Sequence, residues 1–159
     1  MLALPFNPET DKASNRNQMN TSYDLERFVQ AQQPLYEKVI EELRDGRKQS
    51  HWMWFIFPQI AGLGRSEMAR YYAISSQDEA AAYLRHSLLG ARLKQCAQLV
   101  LAINGKRLHE IFGNPDDAKF RSCMTLFSSV AGPASVFQAC LEKYCDNQPD
   151  PWTLAKLAE

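Results

Sequence analysis

The sequence lacks a net charge, and it lacks any apolar run long enough to cross a bilayer. Its 159 residues include 18 basic and 18 acidic side chains, so the molecule as a whole does not attract nucleic acid or an anionic membrane surface. The longest apolar run, Trp52 to Phe57, is far shorter than the roughly 20 residues that a transmembrane helix needs. We therefore predict a protein that binds neither nucleic acid nor membrane.

Metal-binding and catalytic motifs are also missing. The three histidines are scattered along the chain, and Cys140 and Cys145 are spaced as in no known zinc or redox motif. The chain contains no GxxxxGKS/T phosphate loop, no GxGxxG fingerprint and no GxSxG nucleophile elbow. The sequence therefore predicts no metal and no cofactor, and it identifies no catalytic residue.

The first 22 residues contain little that a fold could bury. The segment from Asn7 to Ser22 is polar and rich in asparagine, and such segments do not bury enough apolar surface to fold. We therefore expect residues 1–22 to form a mobile polar tail and residues 23–159 to form a single domain. The start of the chain has neither the charged region nor the apolar region of a secretory signal, so we expect a cytoplasmic protein.

Apolar residues recur every three or four positions along most of the remaining chain, which is typical of amphipathic helices. One such stripe consists of Leu89, Leu93, Cys96, Val100 and Ile103. Helix starts are marked as well. Ser76 followed by Glu79 has the spacing of a capping box, and Asp150 followed by Pro151 combines an N-cap with a proline at the first helical position. The sequence predicts an all-α domain of about nine mostly short helices, with no convincing strand.

The most apolar stretch of the chain lies between His51 and Ser66. Its six consecutive apolar residues, Trp52 to Phe57, include two tryptophans and two phenylalanines, and Pro58 follows them. Aromatic side chains bury about 150–250 Å² each, so we expect the other helices to pack around this segment. Because the chain has no second strand-like run to pair with it, we predict a short buried helix, capped by Ser50 and ended before Pro58.

Three long motifs follow one another in the chain: SHWMWFIFPQIAGLGRS, AAYLRHSLLGARLKQC and IFGNPDDAKFRSCMTLF. In this order and spacing they resemble the bacterial family catalogued as domain of unknown function 1810, from about Leu25 to Leu157. The resemblance implies a single all-helical domain. It implies no activity, so no catalytic residue is carried over. Ser87 stands where the family usually has proline, and this difference concerns only the local turn.

The polar end of the aromatic stretch suggests a ligand-binding site. Gly62 and Gly64 let backbone N–H groups converge on a ligand. The helix start at Ser66 adds further donors and Arg65 adds a planar charged fork, so the loop suits a phosphate or a carboxylate. Aromatic walls between helices would complete a pocket. The residues that we assign to this candidate site are His51, Trp52, Trp54, Gln59, Arg65, Ser66, His86, Lys119 and Ser122.

From these residues we predict that the protein binds a small anionic, aromatic metabolite, such as a nucleotide, between its helices. Each feature also has a purely structural interpretation. His51 can begin a buried helix, the two glycines can form a plain interhelical turn, and His86 can lie at a solvated helix junction. The alternative function is a protein–protein interaction module, in which the aromatic residues of the motif belong to the core and an apolar groove binds a partner helix.

Overall fold

The fold is all-helical, as the apolar periodicity predicted. The structure is a computed structural model that describes residues 23–159, so the prediction of a mobile tail lies outside the described residues. Ten helices form in this range, against about nine predicted. They are α1 (Glu26–Gln32), α2 (Tyr36–Arg44), α3 (Met53–Ile56), α4 (Glu67–Tyr71), α5 (Gln77–Arg85), α6 (Leu89–Leu101), α7 (Leu108–Phe112), α8 (Asp116–Ala131), α9 (Val136–Tyr144) and α10 (Pro151–Leu157). Residues 23–159 contain no strand, only one isolated parallel bridge between Ile60 and Ile74.

Two of the predicted helix starts are present. The hydroxyl of Ser76 accepts a hydrogen bond from the backbone N–H of Glu79 at 3.1 Å. The carboxylate of Asp150 accepts from the backbone N–H of Thr153 at 2.9 Å, and Pro151 lies in the first turn of α10. Local sequence therefore determines where α5 and α10 begin.

Two long helices form the centre of the domain. Helix α8 packs against α5, α7, α9 and α10, while α6 packs against α2, α5 and α9. On another side of the domain, α1 packs against α3. Even α8, with its 16 residues, falls short of a membrane crossing, and no helix within residues 23–159 has the necessary length and apolarity.

The aromatic stretch lies in the core, as predicted. Five of the six residues from Trp52 to Phe57 are buried, and Trp54 is the half-buried exception. The ring of Phe57 meets those of Phe112 and Phe120 edge to face, with centroids 5.9 and 5.0 Å away. Aromatic pairs of this geometry contribute about 0.5–1.5 kcal/mol beyond the burial of area. These contacts join the stretch to α7 and α8.

The helix within the stretch is shorter than predicted, because a buried carboxylate binds the residues that precede it. The carboxylate belongs to Glu42 on α2. Its Oε1 atom accepts hydrogen bonds from the backbone N–H groups of Gln49 and Ser50 and from the indole N–H of Trp52. Ser50 therefore does not cap α3, which begins only at Met53. Burial alone would raise the pKa of Glu42, but the hydrogen bonds outweigh it and lower the pKa.

The cysteines belong mainly to the core. Cys96, Cys123 and Cys140 are buried, and Cys145 is half-buried. Burial raises the pKa of Cys96 and of Cys140 to about 12, so these two thiols stay protonated at neutral pH. Within residues 23–159, no group of three or more His, Cys, Asp or Glu side chains is arranged to hold a metal ion.

Candidate ligand-binding site

Backbone hydrogen bonds fix the loop after α3 to the segment before α5. The N–H of Ala61 donates to the carbonyl of Ile74 at 2.7 Å, and the N–H of Ile74 donates to the carbonyl of Gln59 at 2.8 Å. Pro58, which ends α3, is buried beside them. The two bonds hold the backbone on either side of Ile60 and thereby fix the position of Gln59.

Arg27 on α1 fixes the segment that faces this loop. Its guanidinium donates to the carbonyl oxygens of Tyr71 at 2.8 Å and Ala73 at 2.9 Å. The same guanidinium pairs with the carboxylate of Glu79 at 3.2 Å, and both side chains of the pair are nearly buried. Removing one partner of a buried pair is strongly destabilising, so we expect the wall formed by residues 71–73 to be rigid before a ligand binds.

A cavity of about 200 Å³, here called the inner cavity, lies between this wall and α3. It brings together three predicted site residues from distant parts of the sequence, namely Trp54, Gln59 and Lys119. Its other lining residues are Met53, Phe57, Ile60, Ala61, Gly62, Gly64, Ala69, Arg70, Tyr72 and Ala73.

A second cavity, of about 490 Å³ and here called the outer cavity, adjoins the inner one. The linings of the two share Gln59, Gly62, Gly64 and Lys119. The outer cavity adds Leu63, Pro115, Ala118, Ser122, Asp150 and Trp152. Ser122 is thus a fourth predicted site residue at this place. Its hydroxyl donates to the carbonyl of Ala118 at 3.1 Å, which leaves its oxygen able to accept.

Backbone conformation accounts for Gly62 and close packing accounts for Gly64, the two glycines between the cavities. Gly62 has a φ of +97°, and a Cβ there would lie 2.9 Å from Cε of Lys156. A Cβ on Gly64 would lie 2.4 Å from Cβ of Ala69 on α4. The interpretation as a plain turn therefore explains both residues. No hydrogen bond from the backbone N–H groups of residues 62–66 to a backbone carbonyl meets ordinary geometry within residues 23–159.

Trp54 forms an aromatic wall of the inner cavity. The ammonium of Lys119 lies 5.3 Å from the centroid of its ring and 3.6 Å from Oδ1 of Asp116, so this lysine combines a cation–π contact with an ion pair. The indole N–H of Trp54 is buried and has no acceptor in the described part of the chain. A group of this kind is uncommon in folded proteins and calls for a partner.

Three other predicted site residues lie away from both cavities. Trp52 is fully buried, and its indole N–H donates to Glu42 at 3.1 Å. His51 lines neither cavity. It is exposed and precedes α3, so it does not begin a buried helix. Arg65 is exposed on the loop and lines neither cavity.

The two remaining predicted site residues cap helices. The hydroxyl of Ser66 accepts from the backbone N–H of Ala69 at 3.1 Å and thereby caps α4. The Nδ1 atom of His86 accepts from the backbone N–H groups of Leu88 and Leu89, both at 3.2 Å. His86 thus serves the start of α6, and the structure explains both residues without a ligand.

Reasoning from the sequence missed Arg70, Tyr72 and Trp152. Arg70 and Tyr72 line the inner cavity, and Trp152 lines the outer one. Arg70 follows the Ser66 cap by four residues, about one helical turn, and this spacing could have placed it beside the loop. No local signal links Trp152, which is 73% exposed on α10, to a loop some 90 residues earlier in the chain.

Comparison with known proteins finds a family and a solved structure whose descriptions name no function. A family model described as "Protein of unknown function (DUF1810)" matches residues 22–157, a range that includes both cavities. The crystal structure of the conserved hypothetical protein Rv1873 from Mycobacterium tuberculosis is 52% identical in sequence, with a TM-score of 0.85. That match covers 87% of this chain and 99% of the other. No curated protein matches the chain.

Proposed function

This chain belongs to the DUF1810 family, as its three motifs predicted, and we propose that it binds a small anionic, aromatic metabolite where its inner and outer cavities meet. The observation that carries the proposal is the convergence of Trp54, Gln59 and Lys119 on one cavity. An aromatic wall, an amide and a cation are the groups that hold and orient a negatively charged ring in a small-molecule site.

The unpaired indole N–H of Trp54 supports the same function. Neighbouring atoms cover this N–H, so an acceptor reaches it only after adjacent side chains shift. A buried donor without a partner costs about 1–3 kcal/mol. A ligand that supplies an acceptor at this place therefore recovers free energy that the protein without ligand forgoes.

Nucleotides are the first members of this ligand class to test. Small-molecule sites usually measure about 300–1,000 Å³, and the adjoining cavities of about 200 and 490 Å³ reach that range. In such a complex a base would lie against Trp54 and Tyr72 in the inner cavity.

Differential scanning calorimetry with a panel of nucleotides and phosphorylated aromatic compounds tests the proposal. A ligand at 100 times its Kd stabilises a protein by about 2.7 kcal/mol, which raises the Tm of a domain of this size by several degrees. We expect Lys119→Gln to abolish the rise. Lys94→Gln is the matched control, because Lys94 is exposed on α6 and lines neither cavity. An unchanged Tm with every compound, or equal rises in the two variants, would contradict the proposal.

A specific observation favours the alternative function, a protein–protein interaction module. Apolar side chains are exposed on the two helices that flank the cavities: Met68 and Tyr71 on α4 are 40% and 57% exposed, and Trp152 and Leu154 on α10 are 73% and 44% exposed. Aromatic residues and methionine are enriched in protein interfaces. This function predicts a partner complex that Trp152→Ser weakens and Lys119→Gln preserves, without a response of the Tm to small molecules.

A further inference from the structure

We infer that the ligand is a compact aromatic anion, in which the negative group is attached directly to the ring, and that Arg70 and Lys119 bind this group. The inference rests on the proposed function and narrows its ligand class. Aryl phosphates and aryl carboxylates share the chemistry required. Nucleotides do not, because a sugar separates their phosphate from the base.

The charges on the walls of the two cavities differ. The residues that line the inner cavity include two basic ones, Arg70 and Lys119, and no acidic one. The residues that line the outer cavity include Lys119 and Asp150, whose carboxylate caps α10. A negative group is attracted by both side chains in the inner cavity, whereas Asp150 repels it in the outer cavity. The favourable place for the anion is therefore the inner cavity, beside the aromatic wall.

Asp116 neutralises only part of the positive charge near Trp54. Its carboxylate lies 2.9 Å from Nζ of Lys48 and 3.6 Å from Nζ of Lys119. Two ammonium groups share this one carboxylate, and the shorter contact belongs to Lys48. Lys119 therefore retains the capacity to bind a second anion.

The guanidinium of Arg70 is uncommitted, in contrast to that of Arg27. Arg27 donates to the carbonyl oxygens of Tyr71 and Ala73 and pairs with Glu79. No such contact holds the Arg70 guanidinium within residues 23–159, although the residue lines the inner cavity. A guanidinium offers two parallel N–H donors, which match the oxygens of a carboxylate or a phosphate.

The size of the inner cavity agrees with a single ring and its substituent. Its volume is about 200 Å³, and an apolar cavity of about 150 Å³ in another protein accepts benzene. A ring between Trp54 and Tyr72 fills most of this space. Its anionic substituent must then lie near Arg70 and Lys119, which belong to the same lining.

Isothermal titration calorimetry with three probes tests the inference on the full chain. The probes are phenyl phosphate, adenosine monophosphate and benzyl alcohol. In phenyl phosphate the charged group is attached to the ring, in adenosine monophosphate a sugar separates the two, and benzyl alcohol has no charge. We expect phenyl phosphate to bind roughly tenfold more tightly than either of the others, a difference of about 1.4 kcal/mol. Arg70→Gln should weaken the affinity for phenyl phosphate about tenfold and leave the affinity for benzyl alcohol unchanged. Arg65→Gln, a matched change at an exposed arginine that lines neither cavity, should change neither affinity.

The outcomes separate this inference from the proposed function. If adenosine monophosphate bound more tightly than phenyl phosphate, and this binding depended on Lys119, the inference of a compact ligand would be wrong. The proposed binding function would still hold. Equal losses in Arg70→Gln and Arg65→Gln would overturn the role of Arg70. Equal affinities for phenyl phosphate and benzyl alcohol would overturn the preference for an anionic ligand. If none of the three probes binds, the inference fails, and the wider calorimetric panel decides the function. Arg70 is exposed, and an unchanged Tm confirms that its variant folds.

Discussion

Trp52 and Trp54 lie two residues apart at the one-turn helix α3, and their surroundings differ. Trp52 is fully buried, and its indole N–H donates to Glu42. Trp54 is half-buried and lines the inner cavity, and its indole N–H has no acceptor within residues 23–159. One short turn thus directs one ring into the core and the other towards a cavity.

The electrostatic surroundings of the two rings are otherwise alike. Lys48 lies 5.2 Å from the ring of Trp52, and Lys119 lies 5.3 Å from the ring of Trp54. Both lysines contact the same carboxylate, that of Asp116. The decisive difference is therefore the acceptor for the indole N–H. The indole N–H of Trp52 needs no further partner, and the unpaired N–H of Trp54 is the feature on which the proposed function draws.

Truncation of the two rings should give the largest contrast. Trp52→Ala removes a fully buried ring and leaves a void, which should lower the free energy of unfolding by about 3–5 kcal/mol. Trp54→Ala should lower it less, because part of that ring already borders a cavity. Urea denaturation of both variants measures the difference. Equal losses of unfolding free energy would mean that the two rings contribute equally to packing, and would contradict the proposed difference between them.

Replacement by phenylalanine isolates the indole N–H from the loss of the ring. Trp52→Phe withdraws one donor from the buried carboxylate of Glu42, and should destabilise the fold by about 1–3 kcal/mol. Trp54→Phe removes a buried donor that has no acceptor and so relieves a cost of about 1–3 kcal/mol, which offsets part of the loss of packing, and it should destabilise the fold less than Trp52→Phe does. The same denaturation experiment compares the pair. Matching destabilisation would reveal an acceptor for Trp54 and contradict its assignment as a ligand-binding donor.

Protonation of Glu42, the acceptor for the indole N–H of Trp52, should have a smaller effect on the free energy of unfolding. This effect should appear in the pH dependence of stability. Burial would raise its pKa, but hydrogen bonds lower it below the ordinary value of 4.5. The stabilisation is therefore complete above about pH 4.5 and is lost as the pH falls through the lower pKa of the folded state. We expect Glu42→Gln to flatten this decline in denaturation curves measured below pH 4.5.

Glu110 provides the control for this titration. Hydrogen bonds from Arg107 lower the pKa of Glu110 as well, yet its side chain is exposed. Solvent screens such surface interactions, so Glu110→Gln should flatten the decline less than Glu42→Gln. If Glu42→Gln lost stability at low pH as the wild type does, the buried carboxylate would not stabilise the segment around Trp52.

Much of the fold could be predicted because the signals for its helices are local. The stripe from Leu89 to Ile103 has helical period, and Asp150 lies directly before the helix that it caps. The length of α3 was not predictable in this way. Its start is determined by Glu42, which acts from a different helix through tertiary hydrogen bonds. Aromatic content alone does not reveal such a contact.

The predicted residues that line the cavities lie in two places. Trp54 and Gln59 lie in or beside the aromatic stretch, and Lys119 and Ser122 lie on α8. The sequence presents Trp52 and Trp54 as equivalent members of one apolar run, and only packing against α2 separates them. Arg70 and Trp152 join the site because α4 and α10 pack around the same loop. That arrangement depends on contacts between residues far apart in the chain, which periodicity does not report.

The three tryptophans of the chain span the whole range of exposure: Trp52 is sealed, Trp54 is half-buried and Trp152 is 73% exposed. Indole emission shifts to the red as the ring meets water, so we expect the three tryptophans to differ in emission wavelength. Iodide in solution quenches the emission of Trp152 first and leaves that of Trp52 untouched. With Trp152 replaced by phenylalanine, the remaining quenchable signal belongs to the ring at the cavity, and occupancy can be followed without an added dye.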